Sequence, residues 1–448
     1  MDFWWGVLVI AFGLIVSVAL HEVGHLVPAK LFKVKVTQYF VGFGRTLWST
    51  RRGDTEYGLK VLPLGGYVRM IGMFPPAEQQ MSEDARYEAR QRRRGLRGTI
   101  DAIVEDTREA SGAEVTDELR PGDGRQAFYQ LTMPRKLAVM FGGPVVNLII
   151  SAVLFAVVLS GLGVPTASNR LASVSECVIP AGESRECTAS DPAAPAAEAG
   201  LLAGDRVISW DGAPIENWED LTTAIDAEGA TEVDVVVERD GAQVALTLTP
   251  TLAERPVIED GQYVTDAEGD LVLDEQPFVG IGAARELRPE PLTAVPGYVW
   301  QVFSGTVHMV LTLPQRLVSI AQSTFGGTER DPGVMGLIGV GRMGGEVASS
   351  EVLTTTERSA VMLEILASLN MALFVFNMVP LLPLDGGHIA GALFEGIRRR
   401  FAALTGRQDP GPADTAKLMP LTYVVVVVLA GMSILLAIAD IVNPITLF

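Results

Sequence analysis

Four stretches of this chain, residues 3–20, 137–164, 365–384 and 418–439, carry no acidic or basic side chain. Each approaches or exceeds the length of about 20 helical residues needed to cross a hydrocarbon core. The pattern predicts a polytopic α-helical membrane protein with four transmembrane helices and argues against a purely soluble enzyme. The first stretch is flanked by Asp2 rather than a basic cluster, and no small-residue cleavage site follows it. It therefore reads as a retained span and not as a secretory signal.

The charged residues between the spans set the orientation. The 448 residues have a mean hydropathy of +0.29 yet a formal net charge of -18. Such a field repels phosphate, so no nucleic-acid partner is expected. Residues 28–136 hold 19 Lys and Arg against 14 Asp and Glu, a balance of +5, whereas residues 165–360 hold 11 against 31, a balance of -20. Basic residues near span ends face the cytoplasm, and Arg135, Lys136, Arg398, Arg399 and Arg400 meet that condition. The first and third loops are thus expected inside the cell and both termini outside. Residues 292–315 also lack charge, but Pro296 and Pro314 interrupt them and Gln301, Ser304 and His308 dilute them. They read as an amphipathic helix on the membrane or against protein, not as a fifth span.

Outside the spans, residues 36–72 alternate β-branched and aromatic residues with glycines around an Arg52-Gly53-Asp54 turn, which predicts a small β-hairpin unit beside the first span. Residues 76–125, with Arg92-Arg93-Arg94 and many acids, read as a solvated cytoplasmic insertion whose composition also allows disorder. Residues 196–212 run from a short helix through Ala199-Gly200-Leu201 and Gly204-Asp205 into a strand. A helix over about 217–226 and strands over 233–238 and 243–249 follow, the strands joined at Asp240-Gly241. This region resembles a bacterial PDZ domain of the circularly permuted type over about 170–285. Cys177 and Cys187 lie just before its recognisable core, where an oxidising compartment permits a disulfide between them.

The chemistry concentrates at His21-Glu22-Val23-Gly24-His25. Two imidazoles at i and i+4 share a helical face with a carboxylate beside them, the arrangement of two zinc ligands and a general base. On a membrane span ionisable groups are costly and are retained for function. Hydrolytic zinc sites take a third protein ligand and leave room for water. With four spans, the end of the third reaches the depth of His21, and Asp385 stands there. Pro380 and Pro383 free backbone groups just before it, tolerable only in a protein-lined cavity. Asn377 can present its amide to a substrate carbonyl or tie down that freed backbone. His388, three residues past Asp385, is a candidate for a further ligand or outer donor, with capping or packing the stronger reading.

These motifs resemble the site-2 protease family of intramembrane zinc metalloproteases, particularly its bacterial RseP-like members. H-E-x-x-H corresponds to His21, Glu22 and His25, and N-x-x-P-x-x-x-x-D-G to Asn377, Pro380, Asp385 and Gly386. Residues 62–68, with Gly65 and Gly66, look like the family's membrane-reentrant β segment, and Gly143-Pro144-Val145-Val146-Asn147 like its second-span motif. The resemblance implies a Zn2+ cofactor, Glu22 and Asn377 as catalytic groups, and substrate contacts at Gly65, Gly66, Asn147, Asn377 and Pro380. It also implies single-span membrane protein substrates of the anti-sigma-factor or signal-peptide type, and contact with membrane lipid. The site would lie near the cytoplasmic side of a bacterial cell membrane. The PDZ region would be outside, touching a substrate ectodomain or a peptide terminus. The RseP-like proteins carry two PDZ domains where this chain shows one.

The chain divides accordingly: residues 1–35 form the first span with the zinc motif, 36–75 the reentrant segment, 76–136 the insertion, and 137–164 the second span. Residues 165–290 form the PDZ region, 291–360 an amphipathic and connector segment, 361–400 the third span with its Asp ligand, and 401–448 a linker and the fourth span. The competing class is a zinc-containing membrane transporter or a PDZ-bearing receptor, which leaves Glu22 between the ligands unexplained.

Overall fold

The buried residues of the first helix, α1 (Asp2–Leu31), are Gly6, Ile10, Ser17, His21, Gly24, His25, Leu26 and Ala29, most of them along one stripe, while Trp4, Trp5, Leu8 and Phe12 point outward. Small and polar residues turned inward with large apolar ones outward is the pattern of a helix packed in lipid. The computed structural model describes residues 2–76, 96–120, 122, 124–179, 185–188, 190–259, 262–264, 272–326 and 334–445. Arg92-Arg93-Arg94 lies outside the described residues. The chain forms two compact units, residues 1–162 with 291–448, and residues 163–290.

Among the described residues of the first unit, four helical segments are long and apolar enough to cross a membrane: Asp2–Leu31, Met133–Leu162, Thr355–Asn377 and Thr415–Val442. After α1 come β1 (Val36–Arg52) and β2 (Thr55–Met70). Each strand bends, so that residues 38–41 lie between residues 66–69 on one side and 56–59 on the other, while 48–52 continue beyond 55–59. The result is a small sheet with residues 66–70 along one edge. Helix α2 (Leu96–Glu118) stands within residues 76–125, which read as a solvated insertion whose composition also allows disorder. It is held by ions rather than by an apolar stripe, through Arg69–Glu114 at 2.8 Å, Lys35–Glu118 at 3.6 Å and Arg108–Asp414.

The second span begins as α3 (Met133–Ala156), with Pro134 in its first turn and Pro144 inside it. A 32-residue helix, α4 (Val295–Gly326), covers the segment that raised the question of a fifth span. It packs on protein, with Tyr298 against Phe155, Phe303 against Phe374, and Ile320 in a cluster with Leu436 and Ala439. Helix α5 (Leu337–Ser349) rests on α1 at Gly344 and Gly345. Asp440 of the fourth span caps its start by accepting from the Gly336 and Gly339 amides.

The third span, α6 (Thr355–Asn377), starts ten residues earlier than the uncharged stretch suggested and ends seven residues before Leu384. Thr354 and Glu357 cap its start, and Glu364 is satisfied by the Tyr298 hydroxyl at 3.0 Å. Its end is set by Pro380 and Pro383, whose missing amides cannot continue a helix. Asp385 therefore opens a new helix, α7 (Asp385–Leu404), rather than closing the span. Helix α8 (Met419–Val442) completes the unit.

The second unit is β-rich. Its main sheet runs in the order Ile281–Arg288, Val164–Val174, Arg206–Trp210, Val233–Arg239, Ala242–Leu248. Helix Trp218–Glu228 starts at an Asn217 cap that accepts from the Asp220 amide. It seals Leu221 and Ile225 over Trp210, Val235 and Val237. Asp240 and Gly241 take positive φ at the hairpin turn, as a two-residue connection requires. Cys177 and Cys187 form a disulfide.

Candidate active site

The first helix and the second span touch backbone to backbone. A Cβ added to Gly24 would fall 2.3 Å from Gly142 O, and one on Gly142 would fall 1.9 Å from Gly24 O. Only paired glycines allow that approach, the small-residue contact by which membrane helices pack. It brings Val139 O within 2.8 Å of His25 Nδ1. A carbonyl only accepts, so Nδ1 carries the proton and Nε2 of the neutral ring is left with a free lone pair.

That lone pair faces two others. His25 Nε2 lies 3.2 Å from His21 Nε2 and 3.2 Å from Asp385 Oδ2, and His21 Nε2 lies 3.3 Å from the same oxygen. All three side chains are largely shielded, and their donor atoms fall within 4.8 Å of one another. Two imidazole nitrogens and a carboxylate oxygen turned on one point repel unless a cation stands among them. The donor set is that of a hydrolytic zinc site, and Gly143 leaves the space beside it open, since a Cβ there would meet His25 Nε2 at 2.2 Å and His21 Cε1 at 2.8 Å. The residues fit zinc.

Asn147 is fully buried with its Nδ2 3.1 Å from His21 Nδ1, while its Oδ1 has no hydrogen-bond partner. For His21 to offer the Nε2 lone pair, its proton must sit on Nδ1. Turning the Asn147 amide over then lets Oδ1 accept that proton and leaves no orphaned oxygen. The motif grouped Asn147 with substrate contacts; its side chain lies behind His21.

Glu22 is half-buried beside the triad and interacts electrostatically with His25, His21 and Asp385. Gly66 of the small β1–β2 sheet presses against it, for a Cβ there would lie 2.8 Å from Glu22 Cγ. Gly65 instead has positive φ and packs on the Phe43 ring. Asn377 is the last residue of α6 and Pro380 lies in the turn that follows. Among the described residues, no hydrogen bond ties Asn377 to the triad. His388 sits between Phe74 and Phe128, and burial pushes its imidazole down to about 4, so it packs as a neutral ring.

Several contributors carry no side-chain signature that a motif search would find. Val139 acts through its backbone carbonyl, and Gly143 through an absent side chain. Their nearest sequence signal is Pro144, which removes the amide that would pair with Met140 O and loosens this turn of α3. Ser17 and Asn370 form a second polar link between the first and third spans, at 2.9 Å.

A sequence model described as peptidase family M50 matches residues 9–408. Zinc metalloprotease Rip1 of Mycobacterium tuberculosis strain H37Rv is 32% identical, over all of both chains. Zinc metalloprotease Rip1 of Mycolicibacterium smegmatis is 31% identical, again over the whole of both chains. Metalloprotease MmpA of Caulobacter vibrioides is 27% identical over 87% of this chain and 86% of its own.

Proposed function

The chain belongs to peptidase family M50, and on that premise we propose that it cuts single-span membrane proteins, of the anti-sigma-factor or signal-peptide type, within the bilayer. It is an intramembrane zinc metalloprotease. Which residues carry the reaction is part of the proposal.

The observation that carries the assignment is the convergence of His21 Nε2, His25 Nε2 and Asp385 Oδ2 at 3.2–3.3 Å; these three would hold the metal. Bound zinc lowers the pKa of water from 15.7 toward about 7 and polarises the carbonyl under attack. Glu22 accepts a proton from the attacking water and delivers it to the amine as the C–N bond breaks, a role worth about 10²–10⁴ in rate. Val139 O and Asn147 hold the two imidazoles so that Nε2 points inward. Asn377 donates its amide to the substrate carbonyl oxygen, and Pro380 keeps the turn beside it open.

A membrane helix hides its peptide bonds in its own hydrogen bonds, so the substrate must unwind before it is cut. Residues 66–70, at the edge of the reentrant sheet beside Glu22, suit capture of the unwound chain by β-addition, with Gly65 and Gly66 permitting close approach. The charge balance of the loops favours a site near the cytoplasmic face and a β-rich unit outside. We read that unit as a permuted PDZ domain that screens substrates by the size of their ectodomain. Its support is the sheet and helix around the Ala199-Gly200-Leu201 and Gly204-Asp205 core.

The test is incubation of the detergent-solubilised full chain with single-span proteins, with and without a chelator, mapping cuts by mass spectrometry. Cleavage inside the span should stop with chelator and in Glu22→Gln, which should keep its zinc. Wild-type turnover by Glu22→Gln would overturn the assignment.

A further inference from the structure

The edge strand at residues 66–70 is paired on its inner side with residues 36–41, and among the described residues no strand lies along its outer side. It begins at Gly66, against Glu22. From the next residue onward a groove of about 550 Å³ runs beside it. One wall is Tyr67 to Met70 with Met73 and Phe74, and the other is Thr107, Ala110, Ser111 and Glu114 of α2. That volume lies in the range of pockets that hold small ligands, about 300–1,000 Å³.

The wall contributed by α2 has a consistent character. Thr107, Ala110, Ser111 and Glu114 follow the three- and four-residue spacing of one helical face, and the first three are small. The helix is fastened along the C-terminal half of this face. Glu114 binds Arg69 at 2.8 Å, and Ser111 Oγ donates to Phe74 O at 2.6 Å. Ala110, one residue before Ser111 and one turn before Glu114, is exposed. A helix packed directly on a strand would fill such a face with large apolar residues; this one is pinned at Ser111 and Glu114 and leaves a gap beside Thr107 and Ala110.

We propose that α2 is the second wall of the substrate channel, and that the groove between α2 and the edge strand takes the unwound segment of the substrate on the cytoplasmic side of the cut. This rests on the proteolytic reading and the orientation given above. The segment adds to the edge strand through its backbone. Its outward side chains meet Ala110 and Thr107, so α2 favours small residues there and disfavours aromatic ones. The insertion thereby becomes a specificity element rather than a tether.

Both native cysteines are joined to each other, so a cysteine introduced at Ala110 is the sole free thiol in the full-length protein. In a Glu22→Gln background that retains substrate, Ala110→Cys should form disulfides with a single-cysteine, single-span substrate only at positions cytoplasmic to the mapped cut. In active protein, Ala110→Trp should raise KM at least tenfold for that substrate with little change in kcat. The effect should shrink when the cytoplasmic segment is made of glycine, and zinc content should not change. Crosslinks from a Tyr67→Cys control but none from Ala110→Cys would overturn the proposal, as would unaltered kinetics in Ala110→Trp. Faster cleavage by Ala110→Trp would also overturn it, identifying α2 as a cover over the edge. Failure of the wild type to cut any single-span protein, or full activity of Glu22→Gln, would strike the proteolytic reading itself and is scored separately.

Discussion

Gly143 of the second span faces His25 of the first so closely that a methyl group on it would stand 2.2 Å from Nε2. The contact fixes how near the two helices come and keeps the space beside the triad clear. Gly143→Ala should therefore push the helices apart or turn the imidazole away, weakening zinc binding about 100-fold, the upper range for losing an orienting contact. Competition with a chromophoric chelator measures this directly. Unchanged zinc affinity would show that the close approach has no bearing on the metal.

Asn147 separates two roles that one motif would combine. If it accepts from His21 Nδ1, Asn147→Asp preserves an acceptor and should retain zinc affinity, while Asn147→Leu removes it and should weaken affinity about 10-fold or more. If it served only as a substrate contact, both variants would raise KM and leave zinc affinity untouched. Metal competition and steady-state kinetics on the same preparations discriminate the two.

The convergence of His21 and His25 was legible because a helical period fixes i and i+4 on one face, whatever else the chain does. Asp385 was legible as a partner through depth in the membrane, although the prolines place it at the start of a helix rather than at the end of a span. The limits of the third span were misplaced because Glu357, Arg358 and Glu364 were counted as unpaired charges. They are hydrogen-bonded by neighbours far less visible in sequence: the Thr354 cap, the carbonyls of Ala348 and Leu353, and Tyr298. Helix α2 escaped notice for a related reason. Its anchors Lys35, Arg69 and Asp414 lie far away along the chain, and ionic pairing leaves no hydrophobic period to read.

Lys136 and Glu395 form a shielded pair at 2.7 Å between α3 and α7, with side chains only 5% and 2% exposed. Removing one partner of a buried pair costs about 3–5 kcal/mol. Lys136→Met should fall near about 3, the lower end of that range, because Glu395 keeps the Ala413 amide at 3.0 Å and Arg399 at 3.6 Å. Lys136→Met combined with Glu395→Leu should recover much of the loss, since no charge is then stranded. Thermal unfolding in detergent checks both; a double variant no more stable than the single would refute the stranded-charge account.

In the β-rich unit, hydrogen bonds from Arg239 hold the Asp205 carboxyl below its ordinary value against the opposing effect of burial. Asp205 also accepts from the Leu202 amide at 2.9 Å, closing the turn before the strand at residue 206. A carboxylate whose folded pKa is depressed stabilises the fold fully above its unfolded value, about 3.9. That stability is lost as pH falls through the lower, folded value. Protection of the Val235 and Val237 amides from hydrogen exchange should therefore carry no Asp205 contribution to pH dependence between pH 7 and 5, and should drop below about pH 4. Asp205→Asn should lower protection at neutral pH and flatten the acid limb. If wild type and variant lose protection in parallel below pH 4, acid unfolding of this unit is governed by other carboxylates and the Asp205–Arg239 pair is not its latch.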